Sequence, residues 1–207
     1  MAERLPMFPL GSVLLPWAVL PLHIFEPRYR VLMFDCTRES EPEFGVVLIE
    51  RGFEVGGQDQ RFGVGTVARI VEGAELPDGR WVLRAVGTHR IRVAEWLPDD
   101  PYPVALVDDL SEPPWQDADQ VQRVEAEAQV RRSLTLLTEL GEPGPPATVE
   151  LAEDPVVASW QLVAVAPLGS FDKQRLLETD EHGERMRMLA SMADEQATML
   201  AYRLSGE

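Results

Sequence analysis

A strand-to-helix corner at residues 20–32, LPLHIFEPRYRVL, constrains the fold of this chain more than any other segment. Leu20, Leu22 and Ile24 alternate with smaller or polar residues, the pattern of a half-buried strand. Pro27 suits the first position of a helix, because its fixed φ is helical and its missing N–H is not needed there. Apolar residues then recur with the spacing of one helical face: Tyr29, Leu32, Met33 and Cys36. The sequence therefore predicts a strand, a sharp corner and a helix with one buried side that ends near residue 38.

Short strands are predicted to continue to about residue 110. The segments with strand-like patterning are 5–8, 44–50, 61–71, 81–86, 89–96 and 104–107. Pro77-Asp78-Gly79 predicts a turn between two of them, and Gly87-Thr88 a second turn that pairs 81–86 with 89–96. The polar stretch 52–60 predicts a loop. About six short strands with one early helix indicate a small closed or nearly closed sheet.

The periodicity changes after Pro113-Pro114, where the sequence becomes helical. Asp117 is the expected cap of a helix that ends at Gly141, and the proline-rich stretch 142–148 is a linker. Three further helices are expected at about 155–166, 170–177 and 181–204, with this apolar stripe on the last one: Met186, Ala190, Ala193, Ala197, Leu200 and Leu204. The chain is thus predicted to contain a β-rich subdomain over residues 1–112 and a helical bundle over 117–207.

Composition limits the partners of the chain. A net charge of −16, with scattered acidic residues, disfavours nucleic acid, since phosphate binding needs a basic surface. Arg84, Arg90 and Arg92 are the candidates for a local basic patch, although an exposed strand face with arginines among acids is the favoured interpretation. Four prolines interrupt the apolar run 5–25, so neither a signal peptide nor a membrane span is expected. We expect a soluble, cytoplasmic protein that does not bind membranes.

The sequence predicts no cofactor and no metal. Cys36 is the only cysteine, which excludes a disulfide framework and a cysteine-based metal site, and we expect its thiol to be buried and inert. His23, His89 and His182 are too far apart in sequence for ligand spacing. We interpret His23 as a hydrogen-bonded packing residue and His182 as solvated.

Catalytic patterns are also missing from the sequence. Lys173 is the only lysine, and its neighbours do not form the Gly-Lys-Ser/Thr end of a phosphate-binding loop. No Gly-x-Ser-x-Gly elbow supports a nucleophilic serine. The paired acids Asp99-Asp100 and Asp108-Asp109 are interpreted as solvated turns. We therefore predict that the chain has no catalytic residues.

Several segments, in order, resemble the N-terminal domain of Lon proteases, also described as a LAN or PUA-like substrate-binding module. They are LPMFPLGSVLLPWAVL followed by LPLHIFEPRYRVL, then FGVVLI, GVGTVARI, LPDGRWVLRAVGTHRIRV and EWLPDDPYPVALV. The resemblance implies an α+β fold, with a PUA-like small β-barrel of about six strands and one early helix, followed by a C-terminal α-helical bundle. It also implies a stand-alone, non-enzymatic module without the ATPase and peptidase domains of full-length Lon proteases.

In Lon this module helps to recognise unfolded or tagged polypeptides, so the resemblance implies a polypeptide-binding surface. The candidates lie around the corner: Trp17, Phe25, Glu26, Arg28 and Tyr29. A purely structural interpretation stays open, in which Glu26 and Arg28 pin the corner and Phe25 is core. The methionines of the last helix are a second candidate contact surface.

Three functional hypotheses follow. The first is a polypeptide-binding module that acts as an adaptor or holdase and works with a protease or chaperone. The second is a nucleic-acid-binding module, which the net charge disfavours. The third is a small-molecule-binding protein or an unrecognised hydrolase with a pocket between barrel and bundle. Homodimer formation is left open.

Overall fold

Residues 2–51 and 60–206 are described by the computed structural model, and within them the chain forms six strands and five helices. Most of the loop predicted at 52–60 lies outside the described residues. The chain divides into two compact units, the first ending at Ser111 and the second beginning at Glu112.

The first unit contains the strands and one helix. In chain order its elements are β1 (Glu3–Leu10), β2 (Val19–Ile24), α1 (Pro27–Cys36), β3 (Glu43–Arg51), β4 (Gln60–Glu75), β5 (Trp81–Leu97) and β6 (Val104–Leu110). The strands are longer than predicted, and α1 ends two residues before the expected position. Gly79 closes the predicted turn between β4 and β5 with a φ of 77°.

The six strands form one sheet in the order β2-β5-β4-β3-β1-β6, and β5 also pairs with β6. Only the β1–β3 pair is parallel among the described strands. The first part of β5 lies between β2 and β4, residues 90–92 lie between β4 and β6, and the rest of β5 pairs with β6. Five strands therefore form a closed ring of pairings, which β2 extends along the first part of β5.

The turn predicted at Gly87-Thr88 is wrong, because β5 runs through it without a break. Gly87 is the point where the edge of β5 receives the loop before β2. Its N–H donates to the carbonyl oxygen of Ala18 at 2.9 Å, and its own carbonyl oxygen accepts from Trp17 N–H at 2.7 Å. A Cβ at position 87 would collide with the Leu15 carbonyl oxygen. The glycine thus permits a close backbone approach instead of a turn.

The strands with near-continuous apolar runs are buried on both faces of the sheet. Phe8 and Val46 pack on one face against the buried stripe of α1, which is confirmed in full: Tyr29, Leu32, Met33 and Cys36. Their chain neighbours Met7 and Val47 point to the opposite side. There they join a cluster that draws on all five strands of the ring. Successive side chains on a strand alternate between faces, so burial of both faces produces the uninterrupted pattern.

The second unit is helical. Its elements are α2 (Asp117–Glu139), α3 (Pro155–Val165), α4 (Ser170–Glu178) and α5 (His182–Ser205). Gln116, one residue earlier than expected, caps α2, and Asp119 accepts its backbone N–H at 2.9 Å. The predicted stripe of α5 is buried except at its end, where Leu204 is exposed. No helix within residues 2–51 and 60–206 is long and apolar enough to cross a bilayer.

Candidate functional site

One face of β2 is exposed at the corner. Leu20 and Leu22 pack against the core below α1, whereas Val19 is 59% exposed and lies on the opposite side of the strand. Pro21 and His23 share that side and are also exposed. The prediction that His23 is a packing residue is wrong, because the alternation that buries Leu22 and Ile24 turns His23 outward.

The exposed surface of β2 continues past the end of the strand and across to β5. Phe25, which follows the strand, is 56% exposed, and its ring centroid lies 6.5 Å from that of His23. Val82 of β5 is 49% exposed and is the cross-strand partner of His23, so the two side chains share one face. We call this surface the β2 face and define it by five residues: Val19, Pro21, His23, Phe25 and Val82.

Trp17 precedes the β2 face at the end of the loop. Its side chain is 40% exposed, and it is the one non-glycine residue of the described chain with a positive φ, at 60°. Its N–H is bound by the carbonyl oxygen of Gly87. The hydrogen bond to β5 therefore holds Trp17 in an uncommon backbone conformation, with its indole partly exposed just before β2.

Glu26 and Arg28 form an ion pair at the corner. Arg28 Nε donates to Glu26 Oε2 at 3.1 Å, with both side chains largely buried. Glu26 occupies the cap position of α1, but its carboxylate makes no capping bond there. The Arg28 guanidinium carbon lies 4.4 Å from the ring centroid of Tyr29. This pairing fixes the angle at which α1 leaves the β2 face.

Tyr29 belongs to the core below the corner. Its ring is buried, and the ring centroid lies 4.2 Å from that of Phe8. Of the five predicted residues, Trp17 and Phe25 thus offer apolar surface, Glu26 and Arg28 form the bend, and Tyr29 supports it. Sequence reasoning missed Val19, His23 and Val82. The alternation in β2 was the signal for the first two, whereas Val82 needed the strand pairing.

The arginine patch considered from sequence does not form. Arg90 is fully buried, although its place in the alternation predicted an exposed side chain. Arg84 pairs with Glu72 at 3.2 Å on the surface, and exposed Arg92 has Asp108 as its cross-strand partner. The interpretation as arginines among acids therefore holds for the two exposed residues only.

Two histidines differ in their surroundings. His89 Nε2 lies 3.0 Å from Asp109 Oδ1 at the surface. His182, predicted to be solvated, is buried at the start of α5. Its Nε2 lies 2.9 Å from the Pro113 carbonyl oxygen, and its ring centroid lies 5.1 Å from that of Trp115. The segment before α2 therefore covers it, a contact between residues too distant in sequence to be predicted.

The paired acids and Cys36 lie in an ion pair, in a strand or in the core. Asp99 accepts from Arg61 at 2.7 Å, and Asp108-Asp109 lie within β6 instead of a turn. Cys36 is buried, as predicted. In the described part of the chain, no three His, Cys, Asp or Glu side chains gather in a way that could hold a metal ion.

The methionines of α5 serve mainly as packing. Met186 and Met192 are buried, and only Met199 is strongly exposed. Met188, Met192 and Met199 line a shallow cavity of about 180 Å³ between α4 and α5, together with charged residues such as Asp172 and Arg175.

The chain belongs to the Lon substrate-binding domain family. The family model described as "ATP-dependent protease La (LON) substrate-binding domain" matches residues 4–195. This match spans both units, so the helical second half belongs to the same family domain as the strands.

Curated relatives of the chain include Lon proteases. The Lon protease of Anaeromyxobacter dehalogenans is 30% identical over 208 residues, which is 95% of this chain and 24% of the relative. Lon protease 2 of Myxococcus xanthus is 30% identical over 210 residues, 96% of this chain and 24% of the relative. The chain thus spans about a quarter of the length of the curated relatives it matches.

Two solved structures share the fold. A Lon N-terminal domain protein from Xanthomonas campestris has a TM-score of 0.64 and 29% identity, with 91% of this chain and 98% of that chain covered. The N-terminal domain of the Mycobacterium avium complex Lon protease has a TM-score of 0.68 at 15% identity, with coverages of 93% and 99%. At 15% identity, the second similarity shows the fold alone.

Proposed function

We propose that this chain binds unfolded polypeptide segments through the β2 face. The observation that carries the proposal is the group of exposed apolar side chains on one face of β2 and β5, Val19, Phe25 and Val82, with Trp17 beside it. Single apolar residues are common on protein surfaces, but a continuous patch is typical of an interaction surface. The description of the family as a substrate-binding domain supports the same function.

Each predicted residue has a distinct part in the proposal. Trp17 and Phe25 supply large apolar surfaces that an extended chain covers on binding. Glu26 and Arg28 hold the bend and place charge beside the apolar row, which keeps this surface hydrated while it is empty. Tyr29 supports both from the core. We take the closed ring of strands to be a PUA-like barrel that holds this surface rigid.

The biological role that fits such a surface is that of an adaptor or holdase. Apolar residues are accessible in unfolded proteins and buried in folded ones. The surface therefore distinguishes unfolded from folded partners by the accessibility of their apolar residues. A protease or chaperone is the partner that would receive the bound chain. The proposal assigns no catalytic step to this chain.

Fluorescence anisotropy with a labelled, permanently unfolded polypeptide and its folded form tests the proposal. We expect the unfolded form to bind preferentially. A double variant, Trp17→Asn with Phe25→Ser, should bind at least about tenfold more weakly, because two large apolar contacts are lost. Asparagine is chosen at position 17 because it tolerates a positive φ.

A matched control removes exposed apolar surface elsewhere. Val121 and Val124 are exposed on α2, so Val121→Ser with Val124→Ser should leave affinity unchanged. A second double variant, Glu26→Gln with Arg28→Gln, should weaken binding while the chain stays folded. Equal affinity for folded and unfolded forms, or equal losses in the Trp17/Phe25 and Val121/Val124 variants, would contradict the proposal.

A further inference from the structure

A groove lies on the outer side of α1, against the turn between β4 and β5. Its volume is about 390 Å³, and none of its lining residues belongs to the β2 face. The lining residues are Pro27, Arg30, Val31, Phe34, Glu75, Gly79 and Trp81. This volume is at the small end of the range for ligand sites, so it suits one or two residues instead of a helix.

The groove contains an arginine without a carboxylate partner. Among residues 2–51 and 60–206, no hydrogen bond or ion pair engages the Arg30 guanidinium. The nearby Asp78 is held by Arg80, whose Nε donates to Asp78 Oδ2 at 2.7 Å. Arg30 therefore retains its hydrogen-bond donors for a ligand.

Gly79 makes room for the Arg30 guanidinium. A Cβ at this position would overlap with Arg30 Nη2, so only glycine allows the guanidinium to lie against the turn. The φ of 77° at Gly79 also favours glycine. The guanidinium is thus positioned by shape, and its donors are not consumed in holding it there.

Apolar side chains border this charge. Phe34 is 48% exposed and Val31 is also exposed, while Trp81 is half-buried on β5. The Arg38 guanidinium carbon lies 4.2 Å from the Phe34 ring centroid, which restrains the ring. The groove therefore combines an apolar wall with one unpaired positive charge.

We propose that this groove binds the C-terminal residue of a polypeptide, with an apolar side chain against Phe34 and Val31 and the α-carboxylate on Arg30. The fork of a guanidinium matches the two oxygens of a carboxylate. An apolar C-terminal residue presents both features within one residue, as the small groove requires. Glu75, exposed at the rim, disfavours an acidic residue just before the end. The inference rests on the proposed polypeptide-binding function and adds a class of substrate to it.

The test compares two labelled peptides that end in the same apolar sequence, one with a free C-terminal carboxylate and one with a C-terminal amide. With the unaltered chain, we expect the free acid to bind about tenfold more tightly or better, because a charge-assisted hydrogen bond is lost in the amide. Arg30→Gln should remove this difference. Arg187→Gln makes the same charge change at an exposed position on α5, outside both the groove and the β2 face, and should preserve it.

A third peptide, an amide that carries an internal glutamate, separates the chain end from acidic side chains in general. Equal binding of acid and amide, tight binding of this third peptide, or loss of the preference in Arg187→Gln would overturn the inference. The comparison of acid and amide uses the unaltered chain, so it does not depend on the folding of a variant. If acid and amide bind equally, the proposed function can still be tested separately. It holds if unfolded chains bind Arg30→Gln but do not bind the Trp17/Phe25 variant.

Discussion

Cys36 shows at the residue scale how the fold changes a side chain. Its Sγ donates to the carbonyl oxygen of Glu43 at 3.4 Å, on the buried side of α1. Burial first, and then the carboxylates of Asp35 and Glu39, raise the pKa of the Cys36 thiol from 9.0 to about 12. The folded chain therefore keeps this thiol protonated where an unfolded chain would ionise it.

Stability is accordingly expected to fall in alkali. Above pH 9.0 the unfolded state releases the Cys36 proton, while the folded state keeps it until about pH 12. Between these limits the free energy of unfolding should fall by up to about 1.4 kcal/mol per pH unit through this group. Urea unfolding across this range should show a shallower decline in Cys36→Ala, and parallel curves for the two proteins would contradict the assignment.

Arg185 is a buried charge that organises the start of the second unit. Its Nη2 donates to the carbonyl oxygen of Thr179 at 2.8 Å and to Glu112 Oε2 at 3.3 Å. Its guanidinium carbon also lies 3.8 Å from the ring centroid of Trp160. One side chain thus connects the segment before α2 with α3, α5 and the loop after α4.

Loss of this side chain should be costly. Arg185→Ala removes a fully buried side chain together with its hydrogen bonds to Thr179 and Glu112, so we expect a loss of about 3 kcal/mol or more in the free energy of unfolding. Arg187→Ala, an exposed position on the same helix, should change it by less than about 0.5 kcal/mol. Similar unfolding midpoints in urea for the two variants would refute the structural role.

β5 is the element that connects the ring of strands to the corner. Its first part pairs with β2 as far as Val86, its last part pairs with β6 from Arg90 onward, and Gly87 lies between the two. The backbone of the loop before β2 approaches there so closely that no side chain fits. The position of Trp17 therefore depends on a glycine 70 residues away in sequence.

Gly87→Ala should destabilise the first unit by about 2 kcal/mol, because the added methyl group collides with backbone that cannot move freely. The control is Gly63→Ala on β4, where a Cβ would meet nothing within 4 Å. This change should be neutral or slightly stabilising. Equal effects of the two substitutions on thermal unfolding would show that the close approach at Gly87 is unimportant.

Periodicity allowed the elements to be predicted, and pairing explains what was missed. The stripes of α1 and α5 were visible because a helix repeats its buried face within one segment. β2, which pairs with the first part of β5, is distant from it in sequence, so a local glycine was mistaken for a turn. His182 was expected to be exposed for the same reason, since Pro113 and Trp115, which contact it, lie far from it in sequence. The polypeptide-binding residues at the corner remain a prediction.

At the scale of the whole molecule, charge and apolar surface together define the expected partner. A net charge of −16 disfavours binding to other acidic molecules, including nucleic acids. In the proposed function the β2 face is the binding surface, so we expect affinity to follow the apolar content of the bound chain. The proposed partner is an unfolded chain, recognised by residues that folding would hide.

Amide chemical shifts of the ¹⁵N-labelled chain, titrated with a permanently unfolded polypeptide, test this proposal most directly. We predict that the largest shifts occur at residues 17–28 and around Val82, with saturation at a common affinity. Shifts confined to the methionine-lined cavity between α4 and α5, or no shifts at all, would contradict binding at the β2 face.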